Sequence, residues 1–306
     1  MTKPIIAALD PHREDIGPAA LGTVLARLTG EPLVLAAAYH ADPRVDKLYP
    51  ESARTLIRGA EEALARAAAP IRGAAEIPVT TIAVPSSGSP AWALHELAER
   101  ECAGALVIGS SSRGPVGRVL PGAVTDRLLH GAPCAVAVAP AGFTLDDAHS
   151  PRVVGVAFVD TPDGHVALAT ARSLARQAHA AVRVLTVAEP LDLVVTAAPE
   201  IHEAARRAGR QTAEAALARA VDGGSGGGQV LSGRPAHALA AASKDLDLLV
   251  CGARGYGPIR TLLLGGTSHA LVRNAGCPVL VVPLGSHLPD TDEPKSTRRD
   301  ASLREA

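Results

Sequence analysis

The sequence predicts an α/β protein of two domains in tandem, each a five-stranded parallel sheet with helices on both faces. Three observations point there. Residues 109–140 and 252–283 align without a gap at an offset of 143, with 11 of 32 positions identical. The shared positions include Gly109/Gly252, Gly114/Gly257, Gly122/Gly265, Cys134/Cys277 and Pro140/Pro283. Self-similarity of this kind means that one module was duplicated. Short apolar runs also alternate with helical stretches along the whole chain, the pattern of strand–helix–strand crossovers. Finally, 47% of the 306 residues are apolar but only 2% are aromatic. Cores built from Val, Leu, Ile and Ala suit parallel strands buried under helices.

In the first copy, Ile5 to Leu9 is a buried strand ending at Asp10-Pro11. A helix follows from Asp15 to Leu28 and stops at Gly30; Leu33 to Ala38 is the second strand. The segment between Pro43 and Pro50 reads as a polar loop, followed by a long helix from about Glu51 to Ala69. Val79 to Val84 is the third strand. Ser89-Pro90 opens the next helix, a hydroxyl cap followed by proline in the first turn. Ala105 to Ile108 is the fourth strand, Gly122 to His130 the last helix, and Ala135 to Ala139 the fifth strand.

The second copy repeats this order. Its strands are Val153 to Val159, Val182 to Val187, Gln229 to Leu231, Leu248 to Cys251 and Val279 to Val282. Its helices fall near 163–178, 199–220, 235–244 and 265–274. The run from Asp222 to Gly228 has the letters of a dinucleotide fingerprint but follows a helix and precedes a strand. That context is the wrong one, so it reads as a flexible connector. The expected layout is a first domain over 1–142, a linker over 143–151, a second domain over 152–284 and a disordered polar tail over 285–306.

Composition excludes several classes. A net charge of −1 gives no general attraction to nucleic acid or anionic lipid. No run of 18 apolar residues suggests a membrane span, and a cytoplasmic location follows as the default expectation. The four cysteines lack metal-ligand spacing and read as buried small hydrophobes. The 11 histidines are scattered and read as surface or locally bonded groups. A Walker loop is excluded because Gly114 and Gly257 precede proline, not lysine. A nucleophile elbow is excluded by Arg113.

The glycine-rich turn after strand four is where chemistry is expected. In the second copy it reads Gly252-x2-Gly255-x9-Gly265-Gly266-Thr267-Ser268 and runs into a helix. Small residues let the backbone approach a ligand. Successive amides and a helix N-terminus make an anion site without a lysine. Arg254 lies in the loop and could meet a phosphate. A tight strand-to-helix connection with no ligand is the alternative reading of the same glycines.

The strand–GxxG–x9–G–helix–Cys-Pro-Val-Leu-Val-Val arrangement resembles the universal stress protein family in its tandem two-domain form. Asp10 and Asp160 after each first strand, Asp247 before strand four, Ser89-Pro90-Ala91 and Arg234-Pro235-Ala236 support it, and the resemblance covers nearly residues 1–283. It implies two flavodoxin-like (HUP-type) domains. It also implies an adenine nucleotide as ligand: ATP, with Mg2+ as a companion of its phosphates. The acid after strand one would face the base or ribose, and the glycine loop would cradle the phosphates.

Carried across residue by residue, the second site comprises Asp160, Gly252, Arg254, Gly255, Gly265, Gly266, Thr267 and Ser268. Gly266 departs from the family's Ser/Thr there, losing a hydroxyl but keeping its amide. Asp160 before Thr-Pro also fits an ordinary turn. The first site comprises Asp10, Gly109, Ser112, Gly122, Ala123, Val124 and Thr125. It departs further, since Ser112 replaces a glycine and Ala123 a hydroxyl residue, so the tighter site is expected in the second domain.

Three functions are consistent with the sequence. One is a nucleotide-binding stress or regulatory protein that uses ATP as a signal and is not an enzyme beyond slow hydrolysis. Another is a partner-binding scaffold with vestigial sites; the third is an ATP-alpha-hydrolase-type enzyme. Strand five of each copy is short, apolar and followed by proline, an edge that needs a partner. The expectation is an intramolecular pseudo-dimer through these two strands, with a homodimer of chains left open.

Overall fold

The computed structural model describes residues 2–74, 76–110, 122–145, 149–188, 199–221, 226–253, 266–285 and 288. The first repeat runs β1 (Ile5–Leu9), α1 (Gly17–Thr29), β2 (Leu33–His40), α2 (Pro43–Leu48), α3 (Pro50–Ala74), β3 (Val79–Ser86), α4 (Pro90–Arg100), β4 (Ala105–Gly109), α5 (Ala123–Leu129) and β5 (Ala135–Ala139). The second runs β6 (Val153–Ala157), α6 (Pro162–Ala178), β7 (Ala181–Ala188), α7 (Pro199–Val221), β8 (Gly226–Ser232), α8 (Pro235–Ala242), a 3-10 turn at Ser243–Asp245, β9 (Leu248–Gly252), α9 (Gly266–Asn274) and β10 (Val279–Val282).

The ten strands form one sheet in the order β3-β2-β1-β4-β5-β10-β9-β6-β7-β8. Pairing is parallel within each half and antiparallel only between β5 and β10. At that seam Val138 faces Val279, Ala137 faces Leu280 and Val136 faces Val281. The expected intramolecular pairing of the two fifth strands is therefore present.

The inner strands β1, β4, β5, β10, β9 and β6 are apolar because both faces are covered. In β1, Ile5, Ala7 and Leu9 join the core on one face of the sheet while Ile6 and Ala8 join the other. Each core contains residues of both halves. Fully burying a Val or Leu contributes about 1.5–3 kcal/mol, so Val279, Leu280 and Val281, all without exposure, make the seam a substantial joint. On one face α1 packs against α6 across it. On the other, His269 Nε2 meets Asp126 Oδ1 at 3.0 Å, joining α9 and α5 through positions 143 apart.

Several elements differ from the sequence expectation. The polar loop after Pro43 contains α2, because the Asp42 side chain accepts the Arg44 amide at 2.9 Å and Pro43 presets the first turn. Helix α3 passes through Pro70 to Ala74. Pro70 lacks one helical N–H, but Ile71 beside it is only 1% exposed, and that burial favours continuation. Strand β6 ends at Ala157, two residues early, where the Phe158 amide turns to the Leu185 carbonyl.

The expected flexible connector is partly strand. Gly226–Gly228 pair with Val182–Val184 at the edge of the sheet. A Cβ on Gly228 would lie 2.8 Å from Leu217, so the glycine lets α7 sit close to β8. Residues 222–225 of that connector lie outside the described residues. Ser89 occupies the cap position of α4 but does not bond to the helix; its hydroxyl accepts Arg127 Nη1 at 2.8 Å. Of the tail, Leu288 is buried in the core rather than solvated, and 289–306 lie outside the described residues. Among the described residues no helix is long and apolar enough to cross a membrane.

Candidate functional site

In each half the chain leaves β1 or β6 toward one side and returns to pair on the other, so the strand order reverses there. Crevices at the carboxyl ends of strands at such a reversal are the usual ligand sites of doubly wound sheets. A cavity of about 520 Å³ lies at the ends of β1 and β4, and one of about 440 Å³ at the ends of β6 and β9. Both are in the range of small-molecule pockets. The antiparallel seam points the carboxyl ends of the two halves, and so the two cavities, in opposite directions along the strands.

In the first domain, β1 ends at Leu9 and α1 starts at Gly17, leaving seven residues to form one wall. Asp10 Oδ1 accepts the His12 amide at 3.0 Å, which sets the bend. Arg13 reaches across to β4, where Nη1 donates to the Ser110 carbonyl at 3.4 Å. Its Nη2 lies 3.9 Å from Asp15 Oδ2, and Asp15 Oδ1 accepts the Gly17 amide at 2.9 Å.

Gly109 allows this approach. A Cβ there would lie 3.1 Å from Asp15 and 3.2 Å from Pro18. Opposite, Thr125 Oγ1 donates to the Gly109 carbonyl at 3.1 Å. Gly122 caps α5 and supplies no side-chain acceptor to the first helical amides of Ala123 and Val124. His40 enters from the end of β2 and Ser86 from β3, while Ala8, Ala38, Leu94 and Ile108 supply apolar lining.

Of the residues expected from sequence, Asp10, Gly109, Gly122, Ala123, Val124 and Thr125 line this cavity together. Ser112 lies outside the described residues. Sequence reasoning missed His12, Arg13, Asp15 and His40. The available signal was the polar run His12-Arg13-Glu14-Asp15 between a strand end and Pro18, which resembles any solvated turn.

The second cavity is built differently. Helix α6 begins at Pro162, only four residues after β6 ends, capped by Thr161 through the Gly164 amide at 3.3 Å. Asp160 is not among its lining residues. The carboxylate instead meets His165 Nε2 at 2.8 Å and Arg219 Nη2 at 2.6 Å. Hydrogen bonding from His165, then from Arg219, holds it below the usual carboxylate range. The short turn directs Asp160 toward α7, where Arg219 lies.

Asp163 lines the cavity, and a Cβ on Gly252 would lie 2.7 Å from its carbonyl oxygen. Ser268 Oγ donates to the Gly252 carbonyl at 3.2 Å, repeating the Thr125–Gly109 bond. The remaining lining is mostly apolar, including Phe158, Val159, Leu185, Leu239 and Leu271. Cys251 also lines it, its thiol pushed up to about 12 by burial and so unreactive at neutral pH.

Of the expected second-site residues, Gly252 and Ser268 line the cavity. Gly266 and Thr267 open α9, and Gly266 is not among the described lining residues. Arg254, Gly255 and Gly265 lie outside the described residues. Asp247 has a structural place: its Oδ2 accepts the amides of Arg152 and Val153 at 2.8 and 2.9 Å, tying β9 to the start of β6.

The model of the universal stress protein family matches the chain twice, over residues 1–140 and 151–283. The chain belongs to the universal stress protein family. A universal stress protein of Mycobacterium tuberculosis is 32% identical over 187 residues, 58% of this chain and 60% of the relative. The match thus spans under two thirds of that relative's length. A universal stress protein of Thermus aquaticus is 47% identical over 55 residues, 17% of this chain and 40% of the relative. Among solved structures, a universal stress protein of Archaeoglobus fulgidus superposes with a TM-score of 0.65 at 19% identity, covering 92% of this chain and 98% of its own. A functionally unknown protein of Pseudomonas aeruginosa PAO1 gives 0.64 at 16% identity, covering 92% and 93%. These likenesses establish the fold, a pair of universal stress domains.

Proposed function

We propose that this chain is a nucleotide-binding regulatory protein of a stress response, acting in the cytoplasm, with ATP as signal rather than fuel. The observation that carries this reading is the first cavity. It puts a carboxylate after β1 opposite a strand-end glycine and the start of α5, with apolar lining between. The adenine would lie against Ala8, Ala38 and Ile108, Asp10 would accept a ribose hydroxyl, and the phosphates would pass Gly109 toward Ala123–Thr125.

Magnitudes are compatible. Micromolar affinity needs about 8 kcal/mol, and hydrogen bonds to charged groups contribute about 1.5–3 kcal/mol each. Three or four such bonds plus a buried base reach that figure after ordering costs. Mg2+ enters here as the phosphates' companion. Among the described residues no cluster of three His, Cys, Asp or Glu groups is arranged to hold a metal.

The sequence pointed to the second domain as the tighter site; the described geometry favours the first. The second cavity supports a different role for its domain. Its apolar lining and displaced Asp160 fit a module kept for assembly or partner contact. With β5 and β10 joined, the open sheet edges are β3 and β8, so a homodimer of chains would use other surfaces.

Denaturing the purified protein and chromatographing the supernatant should release adenine nucleotide, and calorimetry should show ATP binding to the stripped protein. No nucleotide and no heat of binding would leave the scaffold reading. Turnover well above about 1 per second would instead make the chain an enzyme.

A further inference from the structure

The two cavities differ in charge in a way that the repeat does not require. Each places an aspartate against the glycine that ends the fourth strand of its domain: Asp15 against Gly109, and Asp163 against Gly252. The seven-residue turn of the first domain adds a cation beside it. Arg13 is about one third exposed, stands 3.9 Å from Asp15 and donates to the carbonyl of Ser110, the first residue after β4. The four-residue turn of the second domain, Phe158 to Thr161, contains no Arg or Lys. Among the described residues lining the second cavity there is no Arg, Lys or His, and Asp163 is the one charged side chain.

We propose that Arg13 is the side chain that grips ligand phosphate in the first cavity. This rests on the nucleotide reading above and specifies the site and the feature recognised. A guanidinium carries five donors in a planar fork. The bond to Ser110 uses one, at a long 3.4 Å, and anchors the group where the chain leaves β4. The remaining donors suit an anion passing Gly109, and Arg–phosphate pairs are commonly bidentate. His12 and His40 line the same cavity and add donors beside it. Lysine would supply the charge without the fork. The cavity should therefore discriminate by phosphate number, with ATP favoured over AMP more strongly than adenine and ribose contacts alone would make it.

The test is calorimetric titration of the full-length chain with ATP, ADP and AMP at 50 and 200 mM salt, using the wild type, Arg13→Gln and Arg13→Lys. Far-UV circular dichroism and melting temperature serve as controls of folding. The expected result is saturable ATP binding that is tighter than AMP binding. Arg13→Gln should weaken ATP by about ten- to hundredfold, weaken AMP much less and flatten the salt dependence. Arg13→Lys should recover part of the loss. Should Arg13→Gln fail to fold, the wild-type ratio of ATP to AMP affinity and its salt dependence decide instead, and a ratio near one with no salt dependence overturns the proposal. Unchanged ATP binding in folded Arg13→Gln would also overturn it while leaving nucleotide binding intact. Absence of ATP binding in the wild type would overturn the functional reading itself.

Discussion

Gly109 and Gly252 occupy the same place in the two copies, but their surroundings differ. A Cβ on Gly109 would press on the Asp15 and Pro18 side chains at 3.1–3.2 Å, which can shift slightly. On Gly252 it would meet the Asp163 backbone at 2.7–2.9 Å, which cannot move without displacing α6. Gly252→Ala should therefore cost about 1–3 kcal/mol in urea unfolding, and Gly109→Ala clearly less; equal losses would contradict this packing. Asp160 makes a pH-dependent prediction. Its folded-state pKa is lowered, so its bonds to His165 and Arg219 add stability above the ordinary carboxylate range and lose it as pH falls through the lowered value. The difference in urea midpoint between wild type and Asp160→Asn should be present above the ordinary carboxylate range and vanish in strong acid. A difference unchanged at acid pH would contradict the assignment.

At the scale of elements, the connection after the first strand sets what each domain can do. Seven residues in the first domain leave Asp10 and Arg13 facing the cavity; four in the second hand the same span to a capped helix. The caps are testable. Thr161 bonds to the Gly164 amide, so Thr161→Ala should lower stability by about 1 kcal/mol. Ser89 accepts from Arg127 instead of its own helix, so Ser89→Ala should cost less; the reverse order would refute the two cap assignments. These same details mark the limit of the sequence. The inner strands were legible because β1, β4, β5, β9 and β10 are apolar runs with punctuated ends. Helix α2 was not, since the six residues between Pro43 and Pro50 mix three charged with three apolar or aromatic side chains and show no periodicity to read. Gly226–Gly228 were not, because only β7 beside them makes a glycine run a strand. Asp10 and Gly109 were legible as strand-end residues, but nothing local brings Arg13 to Ser110 or His40 into the same cavity. Only the sheet order does that.

At the scale of the molecule, the seam between β5 and β10 turns two modules into one sheet with cores running across it. Leu280 is fully buried there opposite Ala137. Leu280→Asp would bury an unpaired carboxylate and should destabilise the chain by about 3–5 kcal/mol. Hydrogen exchange should then accelerate in β4 and β5 as well as in β9 and β10; acceleration confined to the second domain would show that the halves are independent.

The most direct measurement is an amide correlation spectrum of the full-length chain titrated with ATP. Resonances of Asp10–Arg13, Gly109, Ser110 and Ala123–Thr125 should shift saturably, while those of Val159–Gly164 and Ser268 stay in place. The strongest shifts in the second set, or no shifts at millimolar ATP, would contradict a nucleotide site in the first domain.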